Sequence, residues 1–165
     1  MILYHPYDDV YHCFCRVILL VSHLPVEDYE YKKIQILDFY FLFPGLLKDI
    51  IFPSDLRIYR SYVNKIKNPY SDINDPKQII SHIEHHMNYV TRYMAAYGLI
   101  DIQKFKTGII YKINPEMYYP ITQNIEGYDK DLINFLVTVL SRIPLNGKYG
   151  LKARTNFFEY RYDND

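Results

Sequence analysis

The residues best suited to chemistry stand close together in two places. His82, Glu84, His85 and His86 form the first group. Two histidines four apart on a helix present adjacent imidazoles, which is how many metal sites begin. The zinc-protease pattern needs Glu directly after the first His, and Ile83 stands there instead. A structural zinc site takes four ligands, and no further ligand is near in sequence. This group therefore reads as a solvated helix face. His12, Cys13 and Cys15 form the second group. A thiol nucleophile needs a base and an orienting group, and nothing around these residues marks either. They read as small buried hydrophobes. There is no phosphate-binding loop and no dinucleotide glycine pattern. The carboxylates are scattered, with no pair singled out for acid–base work. The expectation is a chain without catalytic residues, metal ligands or cofactor, and so not an enzyme.

Residues suited to contacts are easier to find. Lys104, Lys106 and Lys112, with Arg92 before them, are placed to meet phosphates if this region carries a wing. Zero net charge removes the long-range attraction, so an ordinary solvated wing is the preferred reading. The C-terminal tail is more informative. Phe157, Phe158, Tyr160 and Tyr162 stand among Arg154 and Arg161. Aromatics and Arg are the usual anchors of protein interfaces. Either the tail adds a strand to the domain's own sheet or a partner covers it. Alternation along such a strand would put Phe157 and Phe158 on opposite faces.

These residues need elements to hold them. The central unit is an amphipathic helix followed by a β-hairpin. Ile79, Ile83, Met87, Val90, Met94 and Tyr97 recur at helical spacing, and Gly98 supplies a stop. Residues 99–105 and 109–113 read as strands joined through Lys106-Thr107-Gly108. Asp75-Pro76 can open this helix, which either runs unbroken or splits near Ser81. Upstream, Asp8-Asp9 caps a helix over 10–23, and Glu27 and Asp28 open another over about 29–43. Ile34, Leu37, Phe41 and Leu42 are its inward candidates. A third helix is expected over 56–67, then a polar loop over 68–76. A Pro- and Tyr-rich connector covers 115–127. A final helix begins at Asp129 or Asp131 and stops at Pro144.

The fold class expected is α+β: a mostly helical, winged-helix-like domain with a β-hairpin wing and a C-terminal extension. One domain over 1–165 is expected, with a helical part over 8–68, helix plus wing over 76–114, and helix plus tail over 128–165. Lys and Arg together number 19, matching Asp and Glu at 19. A dedicated nucleic-acid binder usually shows a basic excess. The 19 Tyr with no Trp suit either interfaces or a half-buried core. Cys13 and Cys15 are too close along the chain to bridge each other. Residues 1–9 are polar and aromatic, and the apolar run 17–21 is too short to span a bilayer. A cytoplasmic, reduced, soluble protein is expected.

Longer stretches carry a resemblance. Cys15-Arg16-Val17-Ile18-Leu19-Leu20-Val21 precedes Ile34-Gln35-Ile36-Leu37-Asp38-Phe39-Tyr40-Phe41-Leu42-Phe43-Pro44. The end reads Tyr149-Gly150-Leu151-Lys152-Ala153-Arg154-Thr155, then Glu159-Tyr160-Arg161-Tyr162-Asp163. Over most of its length the chain resembles the middle component of bacterial ABC-three-component systems, the small subunit also found in Lamassu-type anti-phage defence. That resemblance implies an SMC/Rad50-like ATPase and an effector, often a nuclease, as partners, with DNA met mainly through the complex and no membrane. It implies a bridging role that holds the effector inactive until foreign DNA is sensed, and it brings no catalytic residues. The alternative is a stand-alone winged-helix DNA-binding transcriptional regulator, which would want a basic recognition helix.

Overall fold

The computed structural model describes residues 8–68 and 73–163. The start of the chain, read above as polar and aromatic, and the centre of the polar loop at 69–72 lie outside the described residues. Asp9 caps the first helix, α1 (Val10–His23). Its carboxylate accepts from the backbone N–H of Tyr11 at 2.7 Å and of His12 at 3.2 Å. A short strand, β1 (Asp28–Glu30), then leads directly into α2 (Tyr31–Leu42). The second helix thus begins later than expected, because residues 28–30 pair with a strand far along the chain.

α2 is the axis of the fold. Ile34, Ile36, Leu37 and Phe39 are fully buried, and so are the polar Gln35 and Asp38. From Lys33 to Tyr40 every residue of α2 is buried, which is why a single inward face underdescribes it. Its polar side chains each reach a different neighbour. Asp38 takes Arg16 of α1 at 2.6 Å and 3.2 Å. The Gln35 amide donates to the Ile80 carbonyl at 3.0 Å. The Lys33 ammonium donates to the Ser141 carbonyl at 3.1 Å. Burying Asp38, Lys33 and the Gln35 amide nitrogen is tolerable because each is bonded where it is buried, whereas the Gln35 Oε1 is enclosed without a hydrogen-bond partner.

After α2 the chain takes 3-10 turns over Pro44–Asp49 and Ser54–Tyr59, then one α-turn, α3 (Arg60–Val63). The longer third helix expected at 56–67 is absent. Only Val63 is buried there, so no continuous apolar stripe sustains it. α4 (Pro76–Ala96) runs without a split. Asp75 caps it, and Ile80, Ile83, Met87, Val90 and Met94 face inward. Gly98, at φ +73°, ends it, and the Leu99 N–H returns to the Met94 carbonyl at 2.9 Å.

The expected hairpin is replaced in part by a helix. Asp101 accepts from the Gln103 and Lys104 N–H groups, each at 2.9 Å, and so starts α5 (Ile102–Lys106) where a strand was expected. Gly108, at φ +81°, turns the chain into β2 (Ile109–Tyr111). β2 pairs antiparallel with β1, Tyr29 opposite Ile110. Between the two runs expected to form the wing, only the bridge of Ile100 with Lys112 remains. α6 (Tyr118–Thr122) lies within the connector. α7 (Lys130–Thr138) and a 3-10 turn at Leu140–Arg142 make up the last apolar stripe. The tail opens with α8 (Leu151–Thr155), not a strand, and the left-handed Asn156 stops it. α1, α4 and α7 all pack on α2.

The buried ion pair sets a stability prediction. Asp38→Ala removes the carboxylate that the buried Arg16 guanidinium bonds and should lower stability by about 3–5 kcal/mol. Arg16→Met with Asp38→Leu should recover most of that loss. Chemical denaturation of the three chains checks the ordering.

Candidate functional site

α4 keeps Met87, Val90 and Met94 inside and turns Glu84, His85, Asn88, Tyr89, Arg92 and Tyr93 outward. Two hollows flank this outward ridge. On one side α1 joins it. Val10, Tyr11, Phe14, Tyr89, Val90 and Tyr93 line an open apolar hollow of about 320 Å³. Tyr11 is 68% exposed and Tyr89 69%. The Phe14 ring meets the Tyr93 ring edge-on at 5.9 Å, and Tyr93 stacks on Tyr97 at 4.3 Å. These stacked rings leave a rigid aromatic surface in water.

On the other side lies a groove of about 870 Å³. Ala95, Ala96, Ile102, Phe105 and Leu145 give it apolar surface. Lys32, Arg92, Lys106 and Lys152 add positive charge, and Glu30 and Glu84 add negative. Lys152 already holds Asp163 of the tail at 3.0 Å and 3.3 Å. The Lys32 ammonium sits 4.8 Å from the centre of the Phe158 ring, so groove and tail form one continuous surface.

The structure sorts the expected phosphate-contacting residues into two kinds. Lys104 is held by Asp28 at 2.6 Å and lies over the Tyr111 ring at 3.7 Å. That hydrogen bond to Asp28 raises its pKa. Lys112 donates to the Ser22 and Leu24 carbonyls at 2.9 Å and 2.6 Å, closing the C-terminal end of α1. Burial there lowers its pKa. Arg92 and Lys106 remain exposed and line the same groove. Sequence reasoning missed Lys32, Asn88 and Lys152. The spacing of Glu84, Asn88 and Arg92 by four was the available signal for a polar ridge.

The tail residues also divide. Arg154 donates to the Tyr149 carbonyl at 2.5 Å and to that of Ile51, tying α8 to the body. Phe157 packs on Phe39 and Tyr40, with ring centres 4.7 Å and 5.8 Å away. Phe158 packs against the same core, so the two do not face opposite ways as a strand would place them. The Glu159 carboxylate accepts from the Arg161 and Tyr160 N–H groups at 2.8 Å and 3.0 Å, which turns the chain and lowers the Glu159 pKa. Tyr160 is half-buried, and Arg161 and Tyr162 are exposed, Tyr162 to 89%.

Burial pushes both the Cys13 and Cys15 thiols up, away from the thiolate a nucleophile needs. His82 faces Asp8 at 2.5 Å and meets the His86 ring edge-on at 5.7 Å. Burial, and then the neighbouring His82 and His85, lowers the His86 pKa. Among the described residues no cluster of His, Cys, Asp or Glu is placed to hold a metal ion. No helix among them is long and apolar enough to cross a membrane.

The family model described as ABC-three component (ABC-3C) system Middle Component 5 matches residues 2–163. No curated protein and no solved structure matches the chain.

The tail geometry separates anchoring from display. Phe157→Ala should lower the melting temperature, by less than the roughly 3–5 kcal/mol of a fully enclosed Phe. Tyr162→Ala should leave stability within about 0.5 kcal/mol of the parent. Thermal melts of both chains check this.

Proposed function

This chain belongs to the Middle Component 5 family of ABC-three component systems, and on that premise we propose that it is a non-enzymatic adaptor of an anti-phage defence complex. It bridges an SMC/Rad50-like ATPase and a nuclease-type effector, and helps hold the effector inactive until foreign DNA is sensed. The observation that carries the reading is the pair of separate hollows on either side of α4. A bridge between two proteins needs two faces, and this small chain presents an aromatic hollow and a groove continuous with the tail. Tyr and Arg at such positions contribute binding energy well above their share of contact area. Tyr160, Arg161 and Tyr162 belong to the second face, with Arg154, Phe157 and Phe158 holding the segment that displays them.

DNA reaches this subunit mainly through its partners. Lys104 and Lys112 are engaged within the chain, which leaves Arg92 and Lys106 for any phosphate. The winged-helix-like reading rests on element order: helix, strand, helix, then a long helix whose following strand pairs back with the first. A stand-alone operator-binding regulator would have to read DNA with α4, whose outward face carries Arg92 beside Glu84 and tyrosines.

Co-expression with the products of the neighbouring genes tests the adaptor. The wild-type chain should co-purify with both the ATPase and the effector. Tyr11→Ala with Tyr89→Ala should release one partner, retain the other and leave melting unchanged. The purified subunit should be blank in nuclease and ATPase assays. Tight, sequence-specific DNA binding by the isolated subunit at physiological salt would replace the adaptor with the regulator.

A further inference from the structure

We infer that the groove between α4, α5 and the start of α2 receives an acidic, amphipathic segment of a partner protein. This rests on the adaptor reading and assigns one of its two faces. The chain as a whole is neutral, yet Lys32, Arg92 and Lys106 converge on this one groove. Among the described residues no carboxylate pairs with any of them. Lys32 sits over the Phe158 ring, but no carboxylate neutralises these three, unlike Lys33, Lys104 and Lys152, each within reach of a carboxylate.

The surface between these cations is apolar. Ile102 is 47% exposed there, with Phe105 and Ala96 beside it. An exposed apolar strip flanked by cations fits a segment that is apolar on one face and carboxylate-bearing along its edges. One cation of the groove wall, Lys152, already binds a carboxylate. Asp163 lies on Lys152 at the rim and also accepts from the Gly147 N–H at 3.4 Å. Nucleic acid fits less well. A sugar-phosphate backbone gains nothing from Ile102 and Phe105, and Glu84 and Glu30 on the wall repel it. A protein segment can set a Lys or a backbone N–H against those two carboxylates.

The test uses the assembled complex. The chain carries a photo-crosslinking amino acid at Ala96, inside the groove, and is co-expressed with the other components. Irradiation should join it to one partner subunit, within a stretch rich in Asp or Glu and apolar residues. Arg92→Glu with Lys106→Glu should weaken that partner's binding about tenfold or more, with unchanged melting. Raising the salt should weaken the wild-type contact in the same direction. Lys77→Glu with Arg142→Glu, an equal charge change outside the groove, should leave binding intact. An adduct to DNA, to a basic stretch or to no component of an assembled complex overturns the inference. So does binding that survives the groove reversal, or falls equally with the control pair. Those results leave the adaptor reading standing, whereas a wild-type chain that binds neither component overturns both.

Discussion

Everything in this molecule is arranged around the burial of α2 from Lys33 to Tyr40. A helix segment with so little solvent face must enclose polar side chains, and these need partners. The buried Arg16–Asp38 pair supplies direction, with both carboxylate oxygens engaged and Asp38 wholly enclosed. Gln35 and Lys33 repeat the device toward α4 and toward the end of α7. Replacing such a pair with apolar groups is often neutral for stability, whereas removing one partner is costly.

That arrangement decides what is left for the surface. The interior is filled by aliphatic residues of α1, α2, α4 and α7. Many tyrosines are therefore placed at the boundary, where an apolar ring and a polar tip are both satisfied. Tyr118 is a buried instance, its hydroxyl donating to the Leu99 carbonyl at 2.7 Å. Tyr11, Tyr89 and Tyr97 are outward instances. Cations divide by the same logic. Lys33 and Lys112 satisfy backbone carbonyls, and Lys104 closes on β1. The positive charge that remains uncommitted beside α4 gathers along one groove.

The open groove beside α4 was partly legible from residue types. A tail dense in aromatics and Arg pointed to contact chemistry, and Arg92 and Lys106 do lie on an open groove. Residue type could not say that Phe157 and Phe158 lie on the body of the domain, or that Arg154 is held by two backbone carbonyls. Nor could it join Lys32, early in the chain, to Arg92 and Lys106. Such a groove is assembled from segments whose closeness no local pattern encodes.

What the sequence by itself determined was local. Asp9, Asp75 and Asp129 cap helices because a short carboxylate satisfies the first free N–H groups. The period of Ile83, Met87, Val90 and Met94 makes α4 one helix, and Gly98 ends it because glycine enters the left-handed region without strain. What only the tertiary structure decided was pairing. Residues 102–106 form a helix capped by Asp101, and the strand that follows pairs with residues 28–30 and not with them. Strand pairing is a contact between segments distant in the chain, so no local pattern could show that residues 28–30 and 109–111 would be partners.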